Sequence, residues 1–211
     1  MDGVLTDSEP AFYAAINDVL ARYGAHIPPG EYARFIGGAT PDTWAGILAL
    51  KGIDIPLERI ISEYEEPLMR RLREPRPPLP GARELLDALR ARGVALGLCT
   101  ASYRRWAEAV LAAAGIETLF DALSTADDVE RTKPDPAPYL LAAARLGAAP
   151  HECVVVEDSL PGVTSALRAG TYVIQLRATD TAAPAVEGVA RVITSLAEFP
   201  MELVWSQDSG D

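Results

Sequence analysis

Lysine is almost missing from this chain. Arginine supplies 17 of its 19 cationic residues, and the only lysines are Lys51 and Lys133. A surface whose positive charge is built from arginine makes a lysine in a loop stand out as a compact point charge. Positive charge as a whole is in deficit: the formal net charge is −11, which excludes a general binder of nucleic acid or of an anionic membrane, since both need a basic face. Cysteine is scarce. Cys99 and Cys153 each sit inside an apolar, strand-like run, too few for a disulfide framework and expected to be reduced core thiols. Histidine is limited to His26 and His151, loop residues with no partner nearby in sequence. No apolar run approaches the roughly 20 residues of a membrane-spanning helix. No basic-then-apolar leader opens the chain, and there is no internal repeat or low-complexity tract. The expectation is a soluble cytoplasmic protein that binds neither nucleic acid nor membrane.

What is present is a core-forming composition, 49% hydrophobic over 211 residues, enough for one domain with a large insert or for two small ones. Residues 11–23 have helical spacing, with Phe12, Ile16, Val19, Leu20 and Tyr23 on one face and Gly24 to end it. A second helix is expected over 41–51, with Thr40 as cap and Pro41 at its first position. A third runs from Pro56 to Arg73, and Pro67 should kink or split it. This first third shows no convincing strand. The proline-rich stretch from Glu74 to Gly81 is then a stiff boundary. Beyond it strands alternate with helices: helix 82–92, strand 94–99, helix 103–114, strand 121–125, a helix from the Lys133-Pro134-Asp135-Pro136 turn to Gly147, strand 153–156, helix 161–169, strand 172–176 and a last strand over 191–194. The tail from Met201 is polar and expected to fray. That alternation predicts an α/β fold with a parallel, Rossmann-like sheet covered on both faces.

Such sheets bind ligands at the carboxyl ends of their strands. Thr100-Ala101-Ser102 follow one strand, Glu157-Asp158-Ser159 follow another, Lys133 sits in a loop on the same side, and Asp2-Gly3 open the chain. Clustered carboxylates repel one another, and a hard cation relieves that. Mg²⁺ prefers oxygen ligands and pairs with phosphate. A lysine, a hydroxyl and helix N-terminal amides then hold a phosphoryl group. The set points to phosphoryl transfer at a magnesium site. Plainer readings exist: Asp2 as a loose terminal residue, Thr100 as a strand-end cap, Glu157 and Asp158 as an acidic helix start, Arg34 as a surface arginine, Trp44 and Trp106 as packing residues, and Arg104 and Arg105 as a solvated helix start.

In order and spacing, Asp2-Gly3-Val4-Leu5-Thr6-Asp7-Ser8, Thr100, Lys133-Pro134-Asp135-Pro136 and Glu157-Asp158-Ser159 with Gly162 resemble the four motifs of the haloacid dehalogenase-like hydrolases, in the phosphatase and β-phosphoglucomutase branch. The resemblance covers nearly the whole chain and implies specific roles. Asp2 is the general acid and base, and it also contributes to the metal site. Thr100 and Lys133 bind and neutralise the phosphoryl group, with Ala101 and Ser102 in the same substrate-binding loop. Asp158 and Glu157 serve the metal. Residues 10–78 resemble the family's inserted α-helical cap, with Arg34 placed to meet a substrate anion, leaving 1–9 and 79–211 as the α/β core. The implied substrate is a small phosphorylated metabolite, the cofactor Mg²⁺, and the assembly a monomer or weak dimer. Mutases of this branch usually carry a histidine where this chain has Phe12, and Tyr103-Arg104 replace their Lys-Asn after the second motif. Both departures favour a phosphatase.

In the motif, the covalent nucleophile is an aspartate one residue before Met1, at the end of a central strand. Read as written, the chain is expected to lack turnover and to be less stable, because omitting that strand leaves a gap of roughly 10 Å in the sheet. A start set at an internal methionine is one explanation. A non-catalytic protein that binds a phosphate ligand or a partner is the alternative.

Overall fold

A computed structural model describes residues 1–36, 40–178 and 185–204. Its residues fall into two compact units, Ser8–Pro75 and the pair of segments Met1–Asp7 and Arg76–Asp211. The expected insert was 10–78.

The first unit is helical. Helix α1 (Glu9–Ala21) opens with Pro10 in its first turn, where the absent N–H costs nothing, and buries Ala15, Ile16, Val19 and Leu20. The short α2 (Pro29–Tyr32) and then α3 (Thr40–Lys51) follow. Thr40, expected as a cap, is the first residue of α3, and residues 37–39 before it lie outside the described set. Helix α4 (Leu57–Leu72) corrects another expectation: it runs unbroken through Pro67. Proline forfeits one backbone hydrogen bond there. Its ring is nevertheless buried with Ile60, Tyr64, Leu68 and Leu72, on a helix packed along α1, and that burial offsets the loss. Asp18 of α1 accepts from both Nε and Nη2 of Arg71 of α4, at 2.9 and 3.0 Å. Trp44 is fully buried with its ring edge-on to Tyr64, so its role is packing.

The second unit carries the sheet. Arg76 and Leu79 tie its two segments together: Arg76 Nη1 donates to the Asp7 carbonyl and Leu79 N to the Leu5 carbonyl at 2.8 Å. Helix α5 (Ala82–Ala91) leads to β1 (Gly97–Cys99), α6 (Arg104–Ala114), β2 (Ala122–Ser124), α7 (Ala137–Leu146), β3 (Val154–Glu157), α8 (Leu160–Arg168), β4 (Tyr172–Leu176) and β5 (Arg191–Ile193). All pairings are parallel. Leu98 lies opposite Leu123, Val155 opposite Val173, and Gln175 opposite Val192. Parallel strands need crossovers, which these helices supply. Tyr139 of α7, Val163 and Ala166 of α8, and Val173 of β4 form one packed cluster under the site.

The sheet comes in two pieces, β1–β2 and β3–β4–β5, and among the described residues no ladder joins β1 to β3. This accounts for two further differences. The strand expected over 94–99 is reduced to Gly97–Cys99, and Val154 to Val156, in a sheet expected to be covered on both faces, are exposed or half-buried. Parallel strands read as continuous apolar runs when neighbours cover them; among the described residues β3 has a ladder partner only along its β4 side. Among the described residues no helix is long and apolar enough to cross a membrane.

Candidate active site

The chemistry-bearing side chains gather where β1 and β3 end. After β1, Thr100 is buried and its N–H continues the ladder to the Ser124 carbonyl at 2.9 Å. Its Oγ1 accepts the Ser102 N–H at 3.2 Å, which folds Thr100-Ala101-Ser102 into a tight turn. Ala101 is exposed and Ser102 half-buried.

At the end of β3, Glu157 is buried and fully engaged. Its Oε2 accepts from the N–H groups of Asp158 and Ser159, both at 3.1 Å, and from Ser159 Oγ at 3.0 Å. Its Oε1 accepts from the Lys133 ammonium and, at 2.8 Å, from the Tyr139 hydroxyl. Burial opposes its charge, yet Lys133 above all outweighs that and holds its pKa down at about 2. Lys133 is the mirror image: burial works to lower its pKa, and Glu157 wins, so the ammonium is kept. The same Nζ donates to the Cys99 carbonyl at 3.2 Å and lies 5.0 Å from the Tyr139 ring centroid. One lysine thus spans the ends of β1 and β3. The Cys99 thiol beside it is pushed up in pKa by burial, which makes it an unreactive thiol.

Asp158 differs from its neighbour. It keeps solvent access, but the protein mass around its carboxyl and the Glu157 charge raise its pKa above the ordinary carboxylate value. The opening turn reaches it. Gly3 has φ +73°, and a Cβ there would lie 1.9 Å from Asp158 Oδ2, so only glycine lets the Asp2-Gly3 backbone approach so closely. Asp2 is half-buried. Gly162, on the first turn of α8, is glycine for the same reason, since a Cβ would stand 2.1 Å from the Glu157 carboxyl carbon. The structure therefore brings together Thr100, Lys133, Glu157 and Asp158, with the Asp2-Gly3 backbone against Asp158 and with Ala101 and Ser102 in the adjoining turn. Arg34 belongs to the helical unit, where its Nε donates to the Glu31 carbonyl at 3.2 Å and its guanidinium lies 5.9 Å from the Phe35 ring.

The model of the haloacid dehalogenase-like hydrolase family matches residues 1–170. The chain belongs to the haloacid dehalogenase-like hydrolases. It is 37% identical to hexitol phosphatase A of Escherichia coli, over all of this chain and 94% of that protein. It is 33% identical to the fructose-1-phosphate phosphatase YqaB of the same organism, over 84% of this chain and 93% of the relative. Among solved structures, CbbY from Rhodobacter sphaeroides in complex with phosphate superposes with a TM-score of 0.85 at 25% identity, covering 97% of this chain and 96% of that one.

Set against this family's chemistry, one expectation needs correcting. Asp2, Glu157 and Asp158 were expected as a set of metal ligands, but among the described residues no three or more His, Cys, Asp or Glu side chains gather as a metal cage. The reason is Glu157, whose two oxygens are already taken by five donors, the Lys133 ammonium among them. What remains fits a hard divalent ion all the same. Asp158 is an oxygen donor whose negative charge its surroundings disfavour, so a cation beside it would be stabilising, and the Asp2-Gly3 turn closes on it.

Sequence reasoning missed three members of the assembly. Tyr139 falls six positions after Lys133, on the buried face of α7, and a buried tyrosine needs a hydroxyl partner; here that is Glu157. Asp128 and Arg104 form an ion pair at 2.9 Å, so Arg104 is not merely the solvated helix start it was expected to be. The capping pattern from Thr125 to Asp128 was the available signal.

Proposed function

We propose that this hydrolase is a magnesium-dependent phosphatase acting on a small phosphorylated metabolite, a sugar or sugar-alcohol phosphate. The observation that carries the reading is the buried Lys133 ammonium, held across the ends of β1 and β3 between the Thr100 turn and the Glu157-Asp158 pair. A buried cation beside hydroxyl and amide donors is a receptor for a phosphoryl group. The two named sugar-phosphate phosphatases among the relatives support the substrate class.

In this reading Thr100 and the Ala101 N–H orient the phosphoryl oxygens, and Lys133 neutralises them. Asp2 protonates the leaving oxygen, then takes a proton from the attacking water. The attacking carboxylate belongs to the motif position immediately before Met1 and forms an aspartyl-phosphate. Asp158 and the Asp2 backbone would hold Mg²⁺, and Glu157 fixes Lys133 and the start of α8. Bound there, Mg²⁺ supplies positive charge against the phosphate. The helical unit selects the substrate in this proposal, with Arg34 its candidate anion contact. Phe12 and Tyr103 favour transfer to water over transfer back to a sugar.

The test is a panel of hexose, hexitol and small organic phosphates, assayed on the chain preceded by an apolar strand ending in aspartate. Hydrolysis should require Mg²⁺, stop on chelation, and fall at least 100-fold in Lys133→Met. If no phosphate ester is cleaved, or if Lys133→Met cleaves as fast as the parent, the reading is wrong.

A further inference from the structure

The turn that grips phosphate in this reading has few contacts of its own, and what keeps it in place lies outside the four motifs. The loop Thr100–Arg104 is fastened to the segment Ser124–Asp128 through a backbone atom of every second residue, Thr100, Ser102 and Arg104. Thr100 N donates to Ser124 O at 2.9 Å and Ala126 N to Ser102 O at 3.0 Å. Arg104 N, the first amide of α6, donates to Asp127 Oδ2 at 2.6 Å, a cap supplied from the neighbouring segment rather than from its own chain end. The segment Ser124–Asp128 is in turn organised by one carboxylate. Asp128 accepts from Thr125 N at 2.9 Å, one half of a capping box, and also from Thr125 Oγ1 at 2.7 Å. It accepts from Arg104 Nη2 at 2.9 and 3.1 Å, and from Arg145 Nη2 at 2.8 Å. Arg145 sits at the far end of α7 and also donates to the Leu123 carbonyl of β2.

We propose that Asp128 is a positioning residue for phosphate binding: through Arg104 and the Thr125 turn it holds the Thr100–Ser102 loop in register with the sheet, without touching substrate. The proposal rests on the phosphatase reading above and names a residue outside the family's motifs. Its carboxylate is well suited to the task. Its side chain is 13% exposed, and five hydrogen bonds from four donor atoms of three residues meet on its two oxygens. The Arg145 hydrogen bond is foremost in pulling its pKa below the usual carboxylate range, against its partial burial, so it stays charged at any working pH. The two arginines divide the roles. Arg104 leads directly into the phosphate loop, whereas Arg145 leads into β2 and α7. Loss of the first should loosen the loop, and loss of the second should only weaken the scaffold.

The experiment titrates inorganic phosphate into the protein by calorimetry in the presence of Mg²⁺, with thermal unfolding recorded alongside. Asp128→Asn keeps the shape and removes the charge; Arg104→Met and Arg145→Met remove each partner. The expected result is a phosphate dissociation constant raised about tenfold in Asp128→Asn and in Arg104→Met, with no further rise in the double variant. Arg145→Met should lower the melting temperature and leave phosphate affinity within twofold. In the strand-extended protein the same two loop variants should raise KM more than they lower kcat. If Asp128→Asn is folded and binds phosphate as the parent does, Asp128 is a structural residue only and the inference fails while the phosphatase reading stands. If the parent binds no phosphate, both fail.

Discussion

Replacing Lys133 with methionine separates what the buried pair does for stability from what it does for catalysis. Methionine keeps the length of the side chain and deletes the charge. In the parent, Lys133 and Glu157 are 11% and 6% exposed at their side chains, so solvent screens the pair little. Glu157 is held at about 2, against an ordinary glutamate value of about 4.3. A displacement of about 2 units corresponds to about 3 kcal/mol favouring the ionised, folded state. Truncating one partner of a buried pair typically costs about 3–5 kcal/mol. Here the lower end applies, because Glu157 keeps the Tyr139 hydroxyl and three donors on Oε2. The expected loss in Lys133→Met is therefore about 3 kcal/mol at pH 7. The sign with pH follows from the depressed pKa. The stabilisation is complete above the unfolded glutamate value and is lost as pH falls from about 4.3 toward about 2. Urea unfolding of the parent and of Lys133→Met at pH 7 and pH 3 measures both. The gap between the two proteins should be about 3 kcal/mol at pH 7 and clearly smaller at pH 3. A gap below about 0.5 kcal/mol at pH 7, within the scatter of surface substitutions, or a gap that does not change with pH, would refute the argument that this pair is buried and mutually charged.

Other perturbations follow from the same geometry. Gly3→Ala forces a Cβ into the Asp158 carboxylate at a positive φ, and Gly162→Ala forces one into Glu157. Each should cost well over 1 kcal/mol by strain alone and should abolish Mg²⁺-dependent hydrolysis in the strand-extended protein, as read by initial rates and melting temperature. Tyr139→Phe removes one donor from Glu157 while the ring stays under Lys133. Denaturant unfolding should show a loss of about 1 kcal/mol, with activity retained in part. In the helical unit, Asp18→Asn weakens the two-pronged pair with Arg71. Both side chains are about 30% exposed, so the loss should stay below about 1 kcal/mol and shrink further in high salt.

How much of this was legible beforehand differs from element to element. Strands and helices of the α/β unit announced themselves through apolar runs separated by glycine and proline, because burial on both faces leaves no room for polar residues. The helical first third was equally plain. Lys133 could be singled out because it is one of only two lysines, and Thr100, Glu157 and Asp158 because each follows a strand. The fate of Pro67 could not be read, since propensity argues for a break and only packing along α1 keeps α4 whole.

The sequence by itself determined the order of the elements, the family and which residue types stand at the strand ends, since those depend on periodicity and local spacing. Only the tertiary structure decided how their charges are shared. Glu157 and Asp158 are neighbours of the same charge, yet one turns inward to Lys133 and Tyr139 and the other stays at the surface beside the Asp2-Gly3 turn. Asp128, unremarkable in the chain, gathers donors from three separate elements. A carboxylate's role is set by the dipoles and cations that surround it, and here most of those arrive from residues distant in sequence.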